Sequence, residues 1–359
     1  MSRDPPLFVL YALYVLFLPI TDYRSLITDY SVNGFPGVKT HGLSPTVPWD
    51  KSSKPGSFPS FARIRLRLKL ALMGFAPEST GCLLITDYRL PITDHHPRYR
   101  AMDSASALQE FLRPPLPLRN LKREEAILER ADMSRLQIVP GIENDIEEVA
   151  VYRWGKANRR VLLVHGWGGK AAQFFSFVGP LLESGLEVIA FDAPAHGASS
   201  GSFASGPAFA RAARMVAEAK GPVHGIVAHS LGAAGSAIAL AQGLTAERVV
   251  FLAPAALIKL LLEEFIRLRQ IPEPVAAGLR QRFAARYLTE IVSVPLMVKA
   301  FQIPVLIFHD PNDREIPFLH GEAIAAAWPG AELIPAPVGH WRIMRDQSVI
   351  ERTVQFLNV

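Results

Sequence analysis

A chain of 359 residues with 49% hydrophobic content can bury a sizeable core and has room for one large domain and something more, which excludes a wholly disordered chain. The formal charge of +5 comes from residues 1–101, with 12 Lys/Arg against 7 Asp/Glu, while the chain from Met102 onward carries 26 of each. That leaves a neutral main body for which no nucleic-acid partner is expected. A single cysteine, Cys82, excludes an intramolecular disulfide and a cysteine-based zinc site, so a reducing, cytoplasmic setting is expected.

Residues 1–101 do not resemble the rest. Leu7 to Ile20 is an apolar run of 14 residues, shorter than the roughly 20 of a spanning helix. The run lacks a clean basic flank and a small-residue cleavage site, so it is a poor export signal. Membrane association through 7–20 is the less favoured alternative to a cytoplasmic protein. Pro19 to Ser31 (PITDYRSLITDYS) returns nearly unchanged at Leu84 to His96 (LITDYRLPITDHH). The heptads inside these copies carry Thr-Asp-Tyr and Pro instead of apolar seam positions, so they build no coiled coil. They are also too few to stack as a solenoid. The expectation is a poorly ordered extension over 1–101, translated from a short nucleotide repeat ahead of a native start at Met73 or Met102. A helical lead-in is expected over 102–134.

From Leu136 onward, short β-branched runs alternate with helical patterns, which predicts an α/β fold with a mainly parallel sheet covered by helices on both faces. The predicted strands are Glu148 to Trp154, Arg160 to Val164, Glu187 to Phe191, Val223 to Val227, Val249 to Ala253, Val305 to Phe308 and Glu332 to Pro335. Five of them run into residues rich in Gly, His, Asp and Ser. In open α/β sheets ligands bind beyond the carboxyl ends of the strands, so these endings are expected to gather on one edge as the active site.

Ser230 follows one of these strands and precedes a helix predicted over Ala233 to Gln242. A sharp strand-to-helix turn brings the residues two before and two after the serine together, and Ala228 and Gly232 are small enough for it. Serine attacks poorly until a base takes its proton, and the base needs an acid to hold its tautomer. His340 is the expected base and Asp313 the expected acid; His309 and His320 are rival bases, and Asp310 and Glu315 rival acids. The oxyanion formed on attack requires backbone donors, for which the N–H groups of Leu231 and Trp167 are expected. His165 and Gly166 shape the loop carrying Trp167, whose glycines allow a close approach, and His229 supports the turn. No metal is expected.

Together, His165-Gly166-Trp167-Gly168-Gly169, Asp192 to Gly197, Ala228 to Gly232, His309 to Asp313 and Gly339-His340 resemble the α/β-hydrolase superfamily, in its serine esterase and lipase-like branch. The resemblance spans about residues 135 to 359. It implies the α/β-hydrolase fold, a Ser-His-Asp triad in that family's chain order Ser, Asp, His, an acyl-enzyme intermediate and no cofactor. It also implies a small helical lid after the strand Val249 to Ala253, placed over about 256–300. There Leu257, Leu260, Leu261, Leu262, Phe265 and Ile266 form an amphipathic helix, Pro272 and Pro274 break it, and a helix with Arg280, Arg282 and Arg286 follows. A lid of this kind would line an apolar acyl pocket, so the expected substrate is a small apolar, uncharged ester. The alternatives are a catalytically silent small-ligand-binding protein of the same fold and a membrane-anchored lipid hydrolase.

Overall fold

A computed structural model of the protein describes residues 102–115, 121–139, 141, 147–287 and 293–359. The apolar run at 7–20, the near-repeat and Cys82 lie outside the described residues.

The centre of the fold is an eight-stranded sheet: β1 (Asp132–Ile138), β2 (Glu147–Trp154), β3 (Arg160–Val164), β4 (Glu187–Phe191), β5 (Gly225–His229), β6 (Arg248–Leu252), β7 (Val305–His309) and β8 (Glu332–Pro335). Their spatial order is β1-β2-β4-β3-β5-β6-β7-β8. β1 and β2 join antiparallel at one edge, and β4 through β8 are parallel. The chain leaves β3 for β4 on one side and later returns to β5 on the other, so the order reverses at β3/β5, the kind of point where open α/β sheets hold their ligands.

Successive side chains in a strand point to opposite faces, and β3 uses both. Leu162 and Val164 join one buried cluster with Ile226, Ala228, Phe251 and the helices Gly206–Lys220 and Leu231–Ala241. Val161 and Leu163 join a second with Val227, Val250, Leu306 and the helices Phe175–Glu183 and Gln347–Leu357. Two buried layers explain why the parallel strands are continuous apolar runs.

The structure moves several predicted boundaries. β5 begins two residues later than predicted and extends to His229, because its last pairing partner is Leu252 on β6. The lead-in at 102–134 is helical over Ser104–Leu112 and Lys122–Glu129, but its last three residues begin β1, so the boundary at 134/135 cuts a strand. The stretch 256–300 is helical at Ile258–Leu268, Glu273–Tyr287 and Val294–Met297. Pro274 stands in the first turn of its helix, where a missing N–H costs nothing, so it opens that helix instead of only ending the previous one. Leu262, Ile266, Ala276, Leu279 and Tyr287 bury against Ala107, Leu108 and Leu112 of the helix Ser104–Leu112, forming a third apolar cluster separate from the two sheet layers. That helix and the inserted pair are therefore one packing unit, which their distance in sequence conceals.

Candidate active site

Ser230 lies between β5 and the helix Leu231–Ala241, with φ 51° and ψ −120°. Such a backbone is strained for a residue with a Cβ and persists only where the surroundings fix it. Here they do. The Ser230 N–H donates to Leu252 O at 3.0 Å, and its carbonyl accepts from Ala233 and Ala255 at 3.0 and 3.1 Å. Ala228 is fully buried behind it. A Cβ on Gly232 would stand 2.3 Å from the His165 carbonyl oxygen and 2.5 Å from that of Val164. A Cβ on Gly166 would meet the Ser230 Cβ at 2.7 Å. The turn and the loop after β3 are thus in direct contact, and the small residues at 166 and 232 are what permit it.

The loop after β3 is held by two histidines. His165 donates from Nδ1 to the Gly166 carbonyl at 2.7 Å, and its Nε2 accepts from the Ala193 N–H at 2.9 Å. His196 donates from Nδ1 to the Pro194 carbonyl at 2.9 Å, and its Nε2 accepts from the Gly168 N–H at 3.0 Å. Both rings must be neutral for this pattern, and burial keeps them so, lowering their pKa values to about 4 and about 3. Asp192, also buried, accepts from Ala171 N–H, Ala198 N–H and the Tyr152 hydroxyl at 2.7, 2.8 and 3.1 Å. Burial raises its pKa against the lowering effect of those bonds. Its carboxylate ties the loop after β3 to the loop after β4. His196 was visible in the sequence within Asp192 to Gly197, but only the fold reveals that it reaches Gly168.

Trp167, half-buried, packs edge-on to His196 with ring centroids 5.6 Å apart. Its N–H makes no hydrogen bond among the described residues. Leu231 opens its helix, where the first N–H groups have no partner within the helix. Both expected donors therefore belong to backbone segments that meet at Ser230.

Asp313 and His340 are brought together. His340 Nδ1 lies 2.7 Å from Asp313 Oδ2, and Asp313 Oδ1 accepts from the N–H groups of Glu315 and Ile316 at 2.8 and 3.0 Å. Burial pushes the Asp313 pKa up, but the hydrogen bonds from His340 and the Ile316 N–H, with His309 Nε2 close by at 3.6 Å, outweigh it, and the carboxyl is held well below its ordinary value. The rival acids have other partners. Asp310 accepts from the N–H groups of Asn312 and Gly339 at 2.7 and 2.5 Å, and Glu315 accepts from the Trp341 indole at 2.7 Å. The rival bases are buried. His309 donates to the Ile316 carbonyl at 2.8 Å, and His320 Nδ1 accepts from Ala256 and Leu257 N–H groups at 3.0 and 3.2 Å. His229 donates from Nε2 to the His340 carbonyl at 3.0 Å, with ring centroids 4.7 Å apart. Its pKa is lowered to about 3, by burial first and by the neighbouring His340 second. The residue before Ser230 thus supports the loop that carries His340.

Among the described residues, no group of three His, Cys, Asp or Glu side chains is placed to hold a metal ion. None of the described helices is long and apolar enough to cross a membrane.

A parallel sheet with helices on both faces, and a strained serine beyond β5 facing a glycine loop beyond β3, defines the hydrolase class of α/β proteins. The chain belongs to the alpha/beta hydrolase family, whose model matches residues 161–352. No curated protein sequence matches it. Among solved structures, it is similar to an esterase from Pyrococcus furiosus, with 16% identity and a TM-score of 0.51 over 68% of this chain and 97% of that one. It is also similar to an esterase from Exiguobacterium antarcticum, with 17% identity and a TM-score of 0.50 over 63% of this chain and 99% of that one. At such identities the likeness is one of fold.

Proposed function

We propose that the protein is a serine hydrolase that cleaves an ester through an acyl-enzyme, with Ser230 as nucleophile, His340 as base and Asp313 as its acid partner. The observation that carries this reading is the backbone of Ser230. A positive φ at a residue with a Cβ, fixed by three backbone hydrogen bonds, is strain kept where a side chain must be presented.

The steps follow from the roles. His340 Nε2 takes the Ser230 proton as Oγ attacks the ester carbonyl carbon, and the carbonyl electron pair moves onto oxygen. Asp313 stabilises the imidazolium from the Nδ1 side. The N–H groups of Trp167 and Leu231 receive the oxyanion, each worth about 3 to 4 kcal/mol. The tetrahedral intermediate collapses, His340 gives its proton to the departing alkoxide, and the alcohol leaves. Water then repeats the sequence on the acyl-enzyme, releasing the acid and restoring Ser230. The helices Ile258–Leu268 and Glu273–Tyr287 act in this reading as a lid with an apolar lining for the acyl part.

Labelling with a fluorophosphonate, which reacts only with an activated serine, tests the proposal on wild type beside Ser230→Ala. Labelling that disappears in the variant is the expected result. A well-folded wild type that does not label would leave a ligand-binding protein of the same fold.

A further inference from the structure

Beside the Asp313–His340 pair lies an open cleft of about 1070 Å³ whose lining includes Arg314, His340, Trp341, Arg342, Arg345 and Asp346. Three guanidinium groups around one carboxylate make it basic, in a body that is otherwise charge-balanced. The sequence places them tightly: Arg314 directly follows Asp313, and Arg342 and Arg345 occupy the single 3₁₀ turn Arg342–Arg345 after His340.

The four charges are not equivalent. Asp346 caps the helix Gln347–Leu357, accepting from the Val349 N–H at 3.1 Å and the Ser348 hydroxyl at 2.5 Å. Arg345 lies 4.0 Å from Glu124 and 5.3 Å from the Phe175 ring centroid. Arg314 and Arg342 are exposed and make no hydrogen bond or ion pair among the described residues. Two uncommitted guanidinium groups thus belong to the residue directly after Asp313 and the residue two positions after His340. A guanidinium presents donors in a planar fork that matches a carboxylate or phosphate.

We infer that this cleft binds an anionic group on the alcohol portion of the ester, so that the protein acts on esters whose leaving group carries a carboxylate or phosphate. The inference rests on the hydrolase reading above. His340 lines this cleft, while Ser230 does not, and it must give its proton to the departing oxygen, so in this proposal the leaving group extends from Ser230 past His340 toward the arginines. The proposal departs from the uncharged ester expected from the sequence. The acyl part remains apolar, while the alcohol part is charged.

The test compares 4-acetoxybenzoate with its methyl ester, which share an acyl group and differ by one charge on the leaving group. The ratio of their kcat/KM values is measured for wild type and for the double variant Arg314→Gln/Arg342→Gln. An exposed charge pair is worth about two- to fivefold, so the wild type should favour the carboxylate ester. The double variant should lose about tenfold of that ratio. The wild-type preference should also shrink as salt rises from about 0.05 to about 0.5 M. A wild type that favours the methyl ester, turns over neither ester, or keeps its ratio in the variant overturns the inference. Fluorophosphonate labelling of Ser230 in the same preparation separates the two claims. Labelled protein without the anion preference refutes only the cleft, and unlabelled folded protein refutes the hydrolase reading and the cleft with it.

Discussion

Replacing His165 by Leu is expected to lower turnover far more than substrate affinity. The reason lies in one peptide group. The Gly166 carbonyl and the Trp167 N–H belong to the same planar, trans unit, so fixing the oxygen fixes the direction of the hydrogen. Two donors hold that oxygen: His165 Nδ1 at 2.7 Å and the Gly169 N–H at 3.0 Å. Losing a whole oxyanion donor costs about 10²- to 10³-fold in kcat. Because Gly169 keeps one of the two tethers, the Leu variant should lose about ten- to a hundredfold. It also strands the Ala193 N–H, at a cost of about 1–3 kcal/mol in stability. His165→Asn loses the same Nε2 acceptor but keeps a donor at the δ position. The two variants should therefore be similarly destabilised while Asn retains much more of the turnover. Steady-state rates on a p-nitrophenyl ester, scaled to the fraction of sites that a fluorophosphonate labels, measure this. Equal kcat per labelled site in wild type and Leu, or no difference between Leu and Asn, would refute the peptide-plane argument.

Asp313→Asn keeps an oxygen for the Glu315 and Ile316 N–H groups but turns an amide toward His340, forcing the wrong imidazole tautomer. A loss of about 10⁴ in kcat with near-normal stability is expected from paired kinetics and denaturation curves. Gly232→Ala places a methyl group 2.3 and 2.5 Å from two backbone oxygens, which no side-chain motion relieves. Overpacking of this kind costs about 1–3 kcal/mol or more, so soluble yield and melting temperature should fall, and an unchanged melting temperature would contradict the close approach. Stability should also fall on mild acidification. His165, His196 and His229 have pKa values lowered to about 4, 3 and 3 in the folded chain, against about 6.5 when unfolded. The unfolded chain therefore binds protons first as pH drops below about 6.5, and each histidine removes up to about 1.4 kcal/mol per pH unit until its folded pKa is reached. Above that window their contribution is constant. Urea midpoints measured from about pH 7.5 to about pH 4.5 should decline steeply below about 6.5, and a flat profile would mean that these rings are not buried neutral.

The parallel strands were legible in the sequence because burial on both faces leaves little room for polar residues, so Val161 to Val164 or Val249 to Leu252 can hardly be anything else. β1 was not. Its residues Asp132, Met133 and Arg135 are exposed, it pairs only with β2, and Ile138 is its one buried side chain. An edge strand of that kind follows the alternation rule but carries too few apolar residues to announce it. The third apolar cluster was hidden for another reason. Leu108 and Leu112 have helical spacing, but nothing local to Ser104–Leu112 indicates that Leu262 and Ile266, about 150 residues later, are their partners.

The same distinction governs the site. Ser230, with Ala228 and Gly232 around it, is recognisable because a tight turn restricts residues that are neighbours in the chain. Asp313 and His340 lie 27 positions apart in the chain, with a helix and a strand between them, and only their places after strands and their chain order pointed to the contact. The bonds from His165 to Ala193 and from His196 to Gly168 are less legible still, because any buried histidine with two backbone partners satisfies its own chemistry. What distinguishes these two is that both rings tie the loop after β3 to the loop after β4. A loop rich in glycine has no stiffness of its own, so its shape must come from outside it. Neutral imidazoles supply that shape with one donor and one acceptor each, and they do so only while they remain unprotonated. The loop that approaches Ser230 is therefore held by groups whose hydrogen bonds fail in acid, which links its geometry directly to the pH dependence of stability.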